Sequence, residues 1–453
     1  MARAKKEAAL TPEERLQAAL VPDWEWPYKL PENWCWTTVG AINQYVGISA
    51  DPTKAKNKTF ELYSVPSSAD NYPEIVLGAD IGSTKQSVKK GDVLLCKINP
   101  RINRVWKVSK YTDHSLLASS EWIVIRNSGL ISNYLMWCFR SSYFRGYMLS
   151  NVSGVGGSLM RAQPKFVQGY PVPVPPLAEQ QRIVDRIESL FAKLDEAKEK
   201  AQAVVDSFET RKAAILHKAF TGELTAKWRE EHGVGMESWE VRTLDSVCSS
   251  IFDGDHMPPP KAESGIPFLV ISNVNTGHLT FENTRFVPQE YYDTLSDTRK
   301  PQLGDVLYTL VGSFGIPVVV NSKRPFCFQR HMALLRPIDV SPQFLWYILQ
   351  TPEMYDKASS IATGTAQLTV PIKGLRAMTI PRPKIAEQVE IVRILDGFFA
   401  REQSAKEAAE AVLDQIDLMK KSILARAFRG ELGTNDPSEE SAVELLKEII
   451  RRG

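Results

Sequence analysis

The sequence predicts an α+β protein in which two similar globular domains are joined by two long antiparallel helices, which form a coiled coil with pseudo-two-fold symmetry. The first observation behind this prediction is a repeat. Residues 178–224 open with A-E-Q and close with A-F-T-G-E-L, and residues 386–432 open with A-E-Q and close with A-F-R-G-E-L. The second is an apolar periodicity that both copies share, and the third is a similar set of segments around each copy. A repeat of this length defines the architecture before single elements are considered.

The apolar residues of both copies follow the alternating four-three spacing of a coiled-coil seam. In the first copy they are Ile183, Ile187, Leu190, Leu194, Ala197, Ala201, Val204, Phe208 and Ile215; in the second they are Ile391, Leu395, Phe398, Ala405, Ala409, Val412, Ile416, Met419 and Ile423. A helix over residues 183–219 would be about 55 Å long at a rise of roughly 1.5 Å per residue. Since neither helix can bury its stripe alone, we predict that the two helices pair.

Two charged residues interrupt the seam. Arg211 occupies the position at which the second copy has Met419, and Glu402 occupies the position at which the first copy has Leu194. Two separate amphipathic helices, each packed on its own globular domain, would also explain the repeat. The shared register of the two copies favours the paired coiled coil.

The length and composition suit a soluble globular protein. A chain of 453 residues is long enough for two or three domains, and its net charge of +2 excludes few classes of partner. The five scattered cysteines contain no C-x-x-C pair, which predicts reduced, mostly buried thiols in a cytoplasmic protein. The start lacks the apolar core of a signal peptide, and no run approaches the roughly 18 apolar residues of a membrane span.

The elements of the first half follow from local patterns. Thr11, followed by Pro12, predicts the N-cap of a short helix. The next region is rich in β-branched and aromatic residues and predicts strands such as Val93–Cys96 and Trp122–Ile125, followed by a helical piece near residues 133–144. A glycine-serine loop and the run Y-P-V-P-V-P-P then lead into the first long helix.

The second half repeats this order. G-D-V-L at residues 91–94 recurs at residues 304–307, the helical piece recurs at residues 344–349, and the glycine loop recurs as A-T-G-T-A-Q. Asp436 and Pro437 are predicted to cap a final amphipathic helix, which either docks on the protein itself or binds a partner. The predicted segments are an N-terminal extension (1–28), a first globule (29–176), a first long helix (177–225), a second globule (226–382), a second long helix (383–432) and a C-terminal helical tail (433–453).

Several catalytic motifs are missing from the sequence. It contains no G-x-x-x-x-G-K-[ST] nucleotide loop, no G-x-S-x-G elbow, and no tetrapeptide like the N-P-P-Y or D-P-P-Y of adenine methyltransferases. The stretch F-D-G-D-H-M brings together Asp253, Asp255 and His256, which weakly suggests a metal or acid–base site. A polar surface loop is the simpler interpretation of these three residues.

The positive signal is electrostatic, because residues 97–110 contain five basic residues and no acid. Arginine and asparagine match the edges of guanine and adenine, whereas lysine mainly meets phosphate. We therefore predict a DNA contact in this region, although a solvated surface would also explain the run. The candidates here and after the first glycine loop are Lys97, Asn99, Arg101, Asn103, Arg104, Lys107, Ser158 and Arg161.

Comparable polar loops of the second globule provide the remaining candidates for DNA contact. They are Asp255, His256, Asn273, Ser313, Gln329, Arg330, His331, Thr365 and Gln367. Each of them also fits a structural or solvated role. Two globules held at a fixed separation would match a DNA target with two half-sites a whole number of helical turns apart.

The repeated motifs resemble those of a known family, the specificity subunits of type I restriction-modification enzymes. P-P-L-A-E-Q-Q-R-I-V and its variant P-K-I-A-E-Q-V-E-I-V each end a globule and open a long helix that finishes A-F-x-G-E-L. L-P-E-N-W at residues 30–34 resembles the usual entry to the first globule. The resemblance covers residues 30–432, and the doubled helix motif is its most specific part.

The resemblance implies that each globule is a target recognition domain that reads one half of a split DNA site. It implies that the helices space these domains and dock two methyltransferase (M) subunits. The chain itself would be non-catalytic and without a cofactor; S-adenosylmethionine would belong to the M subunits, and ATP and Mg²⁺ to two motor and endonuclease (R) subunits. The target adenine would be flipped into the partner's pocket. In this family the two chain ends can lie together beside the second helix.

Two other functions remain open at this point. A coiled-coil scaffold whose globules bind protein partners would show no salt-sensitive DNA binding. An enzyme that uses Asp253, Asp255 and His256 would be active as the purified chain alone.

Overall fold

A computed structural model describes residues 11–153, 160–254 and 259–452. The chain forms two compact units: the first combines the residues up to Lys200 with those from Ala411 onward, and the second is Ala201–Glu410. Helices and sheets occur in both units, so the predicted α+β class is confirmed. Each unit therefore contains one globule together with parts of both repeat copies.

The described residues of the first unit form a five-stranded sheet, a three-stranded sheet and two strand pairs. The five-stranded sheet has the order Ser49–Ala50, Lys85–Ser87, Ser115–Ala118, Thr59–Tyr63 and Glu74–Leu77. The three-stranded sheet has the order Val105–Lys107, Val93–Cys96 and Trp122–Ile125, and the pairs are Cys35–Thr38 with Pro171–Val174 and Val152–Ser153 with Arg161–Ala162. The two predicted strands are confirmed. All their residues are buried, which explains why they are apolar throughout rather than alternating.

Short helices pack on these sheets. Those of the first unit are Pro12–Ala19, Val39–Ile42, Ser132–Arg140, Ser142–Ser150, Pro164–Val167 and Ala442–Arg452. The helical piece predicted at residues 133–144 is two helices, because Ser141 adopts an extended backbone with ψ 151°. The Ser141 hydroxyl caps the second of them by accepting a hydrogen bond of 3.2 Å from the amide of Phe144.

The two ends of the described chain pack together in the first unit. Thr11 caps the first helix as predicted and forms a capping box with Glu14. Leu16 of this helix lies in the same hydrophobic core as Leu446 of the last helix. The last helix therefore docks on its own protein. It begins at Ala442, so the cap predicted at Asp436 is wrong: the Asp436 carboxylate accepts hydrogen bonds from the amide and hydroxyl of Ser438 and stabilises a turn before the helix.

The second unit repeats this arrangement. Its four-stranded sheet has the order Cys248–Asp253, Met332–Pro337, Val306–Thr309 and Pro317–Val319. Its three-stranded sheet has the order Arg285–Val287, Ile266–Leu269 and Cys327–Phe328. A separate strand pair consists of Glu240–Thr243 and Thr379–Arg382. Its short helices are Ala226–Glu231, Leu244–Val247, Gln289–Thr294, Pro342–Ile348, Pro352–Ile361 and Ile372–Ala377. The helix predicted at residues 344–349 and the strand predicted from G-D-V-L are both present.

The glutamine of each A-E-Q motif joins the start of a long helix to the globule before it. The Gln180 side chain accepts a hydrogen bond from the amide of Ile131 at 2.9 Å and donates one to the carbonyl of Pro175 at 3.0 Å. In the second unit Gln388 accepts from the amide of Ser341 at 2.9 Å and donates to a proline carbonyl at 2.9 Å. Both glutamines are fully buried, so these bonds satisfy side chains that have no access to water.

The glutamate of each A-E-Q motif binds a threonine that follows the G-E-L end of the other copy. Glu179 accepts a hydrogen bond of 2.6 Å from Thr434, and Glu387 accepts one of 2.7 Å from Thr225. Burial raises the pKa of Glu179 even though the hydroxyl of Thr434 and the guanidinium of Arg182 lower it. Each unit is thus closed by a bond between the start of one repeat copy and the end of the other.

The first long helix, predicted to be continuous, is interrupted in the structure. The first segment consists of two helices, Leu177–Asp206 and Phe208–Phe220, whereas the second, Ile385–Ala427, is uninterrupted. Ser207 separates the first two, and its hydroxyl donates to the carbonyl of Ala203 at 2.5 Å. Such a serine bond to the preceding turn bends a helix.

The predicted seam is buried unevenly. Ile187 is fully buried in the core of the first unit, and Leu395 is fully buried in that of the second. Val412 and Met419, however, are 44% and 49% exposed. Part of the apolar stripe therefore packs on the globules and part of it stays accessible.

Within each unit, ion pairs join the two repeat copies. In the first unit Asp195 pairs with Lys420, and Lys198 lies 4.0 Å from Asp417. As the residue number rises in the first segment, that of its partner falls in the second, so the two segments are antiparallel within this unit.

In the second unit the guanidinium of Arg211 donates to the carboxylate of Glu402 at 2.7 Å. The two charged residues that interrupt the predicted seam are therefore partners. Each one neutralises the other in a half-buried position, which explains how the helices tolerate both.

None of the described helices is long and apolar enough to cross a membrane. All five cysteines are buried free thiols, as predicted, and burial raises the pKa of Cys35 and of Cys248 to about 12.

The Arg211–Glu402 pair gives a stability prediction. Arg211→Met alone leaves the Glu402 carboxylate without its cation, and we expect the free energy of unfolding to fall by about 2 kcal/mol. The double variant Arg211→Met/Glu402→Leu restores the apolar residues of the other repeat copy and should stay within about 1 kcal/mol of the parent. Urea denaturation measures both. Lys200→Ala, which breaks an exposed pair with Glu196, is the control and should change little. A double variant as unstable as the single one would contradict this explanation.

Candidate nucleic-acid interface

A hairpin presents the basic segment of the first globule. Strand Val93–Cys96 pairs antiparallel with Val105–Lys107, and residues 97–104 close it. Asp92, which precedes the first strand, is buried and receives two hydrogen bonds from Arg126 at 2.8 and 2.6 Å and one from the amide of Lys89 at 2.8 Å. Gly91 beside it adopts φ 94°, a left-handed backbone that favours glycine. The G-D-V-L motif therefore fixes the base of the hairpin.

Two asparagines shape the closing loop. Asn99 and Asn103 have left-handed backbones with φ 44° and 53°, on either side of the 3₁₀ turn Pro100–Ile102. Asparagine tolerates this conformation better than most residues. The Asn103 side-chain amide also donates to the carbonyl of Arg140 at 3.0 Å, whereas the side-chain oxygen of Asn99 is buried without a hydrogen-bond partner among the described residues. Both asparagines therefore have a structural role in the loop, and their contact with bases stays a prediction.

The basic side chains of this hairpin fall into two groups. Lys97 donates to the carbonyl of Ser120 at 2.7 Å, and Lys107 donates to the side chain of Asn133 at 2.6 Å, so both have partners within the globule. Arg101 is exposed and Arg104 is half-buried. Among the described residues neither of these arginines has an acidic partner within ion-pair distance, so their charge is available to an anion.

The loops that contain Ile98, Glu121 and Arg161 meet at this end of the first globule, and we call this surface the three-loop face. Ile98 forms a β-bridge with Arg161, and the amide of Lys97 donates to the carbonyl of Glu121 at 3.1 Å. The structure thus brings together the basic segment and Arg161, which are separate candidates in the sequence. Ser158 lies outside the described residues.

Two residues of this three-loop face are not predicted from the sequence. The carboxylate of Glu121 lies 3.2 Å from the guanidinium of Arg161 and 4.0 Å from the ammonium of Lys97, so it offsets part of the positive charge. Arg145 donates a hydrogen bond to the carbonyl of Arg101 and so holds the closing loop. Neither residue belongs to the basic run, and no local pattern marks them.

The second globule builds the same hairpin from the same motif. Strand Val306–Thr309 pairs antiparallel with Pro317–Val319. Asp305 is buried and receives two hydrogen bonds from Arg336 at 3.1 and 2.9 Å and one from the amide of Gln302 at 2.8 Å. The carboxylate, its arginine and its amide donor correspond one by one to those of the first globule.

The second globule also repeats the meeting of three loops. Val311 forms a β-bridge with Thr369, as Ile98 does with Arg161. The amide of Leu310 donates to the carbonyl of His331 at 2.8 Å, as that of Lys97 does to Glu121. Although the two faces share hardly any side chains, their backbones are connected in the same way.

Most candidates of the second globule lie on this face. Ser313, Arg330, Thr365 and Gln367 are exposed, and Gln329 and His331 are half-buried. Burial and the neighbouring guanidinium of Arg330 lower the pKa of His331, which keeps its ring neutral at pH 7. The face is therefore polar but much less basic than its counterpart in the first globule.

Three candidates of the second globule do not contribute to this face. Asn273 is 3% exposed; its side chain accepts from the amide of Val270 at 3.0 Å and donates to the carbonyl of Glu282 at 2.9 Å. It stabilises a turn, so its prediction as a DNA contact is wrong. Asp255 and His256 lie outside the described residues. Among the residues that the structure describes, no group of three or more histidine, cysteine, aspartate or glutamate side chains could hold a metal ion.

Comparison with known proteins identifies relatives of the whole arrangement. The family model for the type I restriction modification DNA specificity domain matches residues 47–205 and 236–413. The EcoKI specificity subunit of Escherichia coli strain K12, a type I restriction enzyme subunit, is 27% identical over 349 residues, which cover 72% of this chain and 73% of the relative. The crystal structure of the HsdS subunit from Thermoanaerobacter tengcongensis is 24% identical with a TM-score of 0.64, over 90% of this chain and 100% of that one. A chain solved in a study of type I R-M system assembly is 24% identical with a TM-score of 0.72 over the same shares. These structures share the fold.

The left-handed backbone of Asn103 gives a second stability prediction. Asn103→Gly loses the bond to the carbonyl of Arg140 but suits a φ of 53°, and we expect the free energy of unfolding to fall by about 1 kcal/mol. Asn103→Ala loses the same bond and adds backbone strain, so the expected loss is about 2 kcal/mol. Urea denaturation of the two variants isolates the strain because the hydrogen bond is absent from both. Equal losses would show that the backbone of Asn103 is unstrained.

Proposed function

Because this chain belongs to the type I restriction modification DNA specificity family, we propose that it is the DNA sequence-specificity subunit of a type I restriction-modification complex. It recognises a bipartite, gapped DNA site with one half per globule, and it directs adenine-N6 methylation and restriction by partner subunits. The observation that carries this proposal is the repeated three-loop face, since a duplex site with two halves needs two readers of the same construction.

The two faces contribute differently to the affinity for DNA and to sequence specificity. In the first globule Arg101, Arg104 and Arg161 supply positive charge for phosphates, which gives salt-dependent affinity. In the second globule Ser313, Gln367 and neutral His331 are hydrogen-bonding groups suited to base edges. We therefore assign a larger share of the electrostatic binding energy to the first half-site.

The long helices act as the ruler of the gap. We propose that they form an antiparallel coiled coil with pseudo-two-fold symmetry, which is supported within each unit by the ion pairs that join the two repeat copies. The globules at residues 29–176 and 226–382 are then the target recognition domains, and residues 177–225 and 383–432 are the conserved spacer helices. The exposed seam residues Val412 and Met419 are apolar surface available to a partner helix.

Partner subunits supply the chemistry. We propose that two M subunits bind S-adenosylmethionine and transfer the methyl group, and that two R subunits use ATP and Mg²⁺ for translocation and cleavage. This chain then acts in the cytoplasm as a non-catalytic reader with no cofactor of its own, and the target adenine flips into the pocket of an M subunit.

A genome-wide map of N6-methyladenine, with and without this gene, tests the proposal. We expect one gapped, two-part motif to lose methylation on deletion and to regain it on complementation. A gene that carries Asp253→Asn is the control for the weakly suggested metal site. Complementation with this gene should restore methylation of the same DNA motif. A methylation map that does not change on deletion, although an M subunit co-purifies with the chain, would contradict the proposed function.

Replacing Arg101 and Arg104 by alanine should weaken binding at the first half-site only. We expect the slope of log affinity against log salt concentration to fall by about 0.9 for each phosphate that the variant no longer neutralises. Binding to duplexes in which one half-site at a time is scrambled measures the effect, and Lys54→Ala, a highly exposed lysine of the same globule, is the control. Arg330→Ala is the matched variant for the second half-site. Equal losses at both halves would remove these arginines from the interface.

Inserting four residues after Lys200 should change the gap of the recognised motif and leave both half-sequences intact. Four helical residues add about 6 Å and roughly 40° of rotation beyond a full turn. The methylation map of a strain that carries the insertion reads the new gap directly. The same insertion after Gly233, in an exposed turn, is the control and should leave the gap unchanged. An unchanged gap in the helix variant would show that the helix is not the ruler.

A further inference from the structure

The three-loop face of the first globule carries one exposed aliphatic side chain that the charges do not explain. Ile102 is 53% exposed and ends the 3₁₀ turn of the closing loop. In the sequence it lies between exposed Arg101 and half-buried Arg104, so the same loop carries one apolar group and two cations. Single exposed aliphatic residues are common on protein surfaces, so the position of Ile102, and not its exposure alone, carries the inference.

The position of Ile102 is fixed from several directions. The left-handed asparagines 99 and 103 close the turn on both sides, and the amide of Asn99 donates to the carbonyl of Met160 at 2.8 Å. The side chain of Asn103 holds the carbonyl of Arg140, and Arg145 holds the carbonyl of Arg101. A β-branched side chain also has few rotamers to lose. The apolar group is therefore ordered before any ligand arrives, which lowers the entropic cost of a contact.

The shape of the supporting element indicates which groove it enters. Ile102 lies in the loop of residues 97–104, which closes the hairpin of Val93–Cys96 and Val105–Lys107 within a three-stranded, largely buried sheet. Only this loop can enter a groove, and its two adjacent chain segments fit the major groove, which is about 12 Å wide, but not the minor groove, which is about 6 Å wide. In the major groove the apolar group offered by the bases is the C5 methyl of thymine. The flanking arginines would meet phosphates at the groove edges.

We propose that Ile102 is a specificity-determining residue that contacts the C5 methyl group of a thymine in the first half-site. The inference rests on the proposed function and extends it to one side chain and one base. The corresponding loop of the second globule, residues 310–316, is one residue shorter, its Phe314 is buried, and it has no exposed aliphatic residue, so we assign this contact to the first half-site alone.

The test combines a change in the protein with a change in the DNA. The full-length chain is assembled with its M subunit, and its binding to duplexes that contain the gapped motif is measured. In these duplexes each thymine of the first half-site is replaced in turn by deoxyuridine, which carries hydrogen in place of the methyl group. We expect the parent complex to lose about three- to fivefold in affinity at one position. Ile102→Ala should bind the thymine duplex more weakly and show no further loss at that position, because the two changes remove the same contact.

Ile75→Ala is the matched control. Ile75 is an exposed isoleucine of the same globule, 43% accessible, in the edge strand Glu74–Leu77. This variant should keep both the affinity and the sensitivity to deoxyuridine. Thermal unfolding of both variants confirms that the globule is intact.

Three results would overturn the inference while leaving the proposed function in place. They are a first half-site without thymine, a parent complex that is insensitive to deoxyuridine at every position, and an Ile102→Ala variant that keeps the full sensitivity. A parent complex that does not bind the gapped duplex at all would instead remove the proposed function, and the inference with it.

Discussion

The structure depends on two buried glutamates that residues nearby in the sequence satisfy only in part or not at all. Glu179 and Glu387 each open a long helix, and each needs hydroxyl and guanidinium donors to offset its loss of water. The threonine donor follows the end of the other repeat copy in both cases, but the arginine differs: Arg182 lies in the same helix, whereas Arg229 lies in the short helix after the first copy. The chemistry of the site is preserved while the source of its cation changes.

The hairpins show how a constant base supports a variable face. The Asp92–Arg126 and Asp305–Arg336 pairs hold the start of the hairpin in both globules, and the same backbone bonds connect the three loops. None of these bonds uses a side chain of the loops themselves. Apart from the asparagines that shape the first loop, the loop side chains can therefore change without loss of the scaffold, which allows one face to be basic and the other much less so.

The repeat, the strands and the terminal helices could be predicted because they depend on residues that are close in sequence. The base of each hairpin could be located from G-D-V-L, but its arginine could not, since Arg126 and Arg336 lie more than thirty residues further along the chain. The prediction for Asn273 fails because burial of a polar side chain depends on distant partners. Arg211 and Glu402 resemble defects in the sequence for the same reason: their compensation becomes visible only when the two segments are placed side by side.

The composition of the two units has a consequence for synthesis on the ribosome. The second unit is one continuous stretch, Ala201–Glu410, whereas the first requires residues from Ala411 onward to fill its core and to bind Glu179. Domains generally fold as units while the chain emerges. The globule that is translated first must therefore be completed last, and premature termination near the carboxyl end would damage the amino-terminal globule while the central one stays intact.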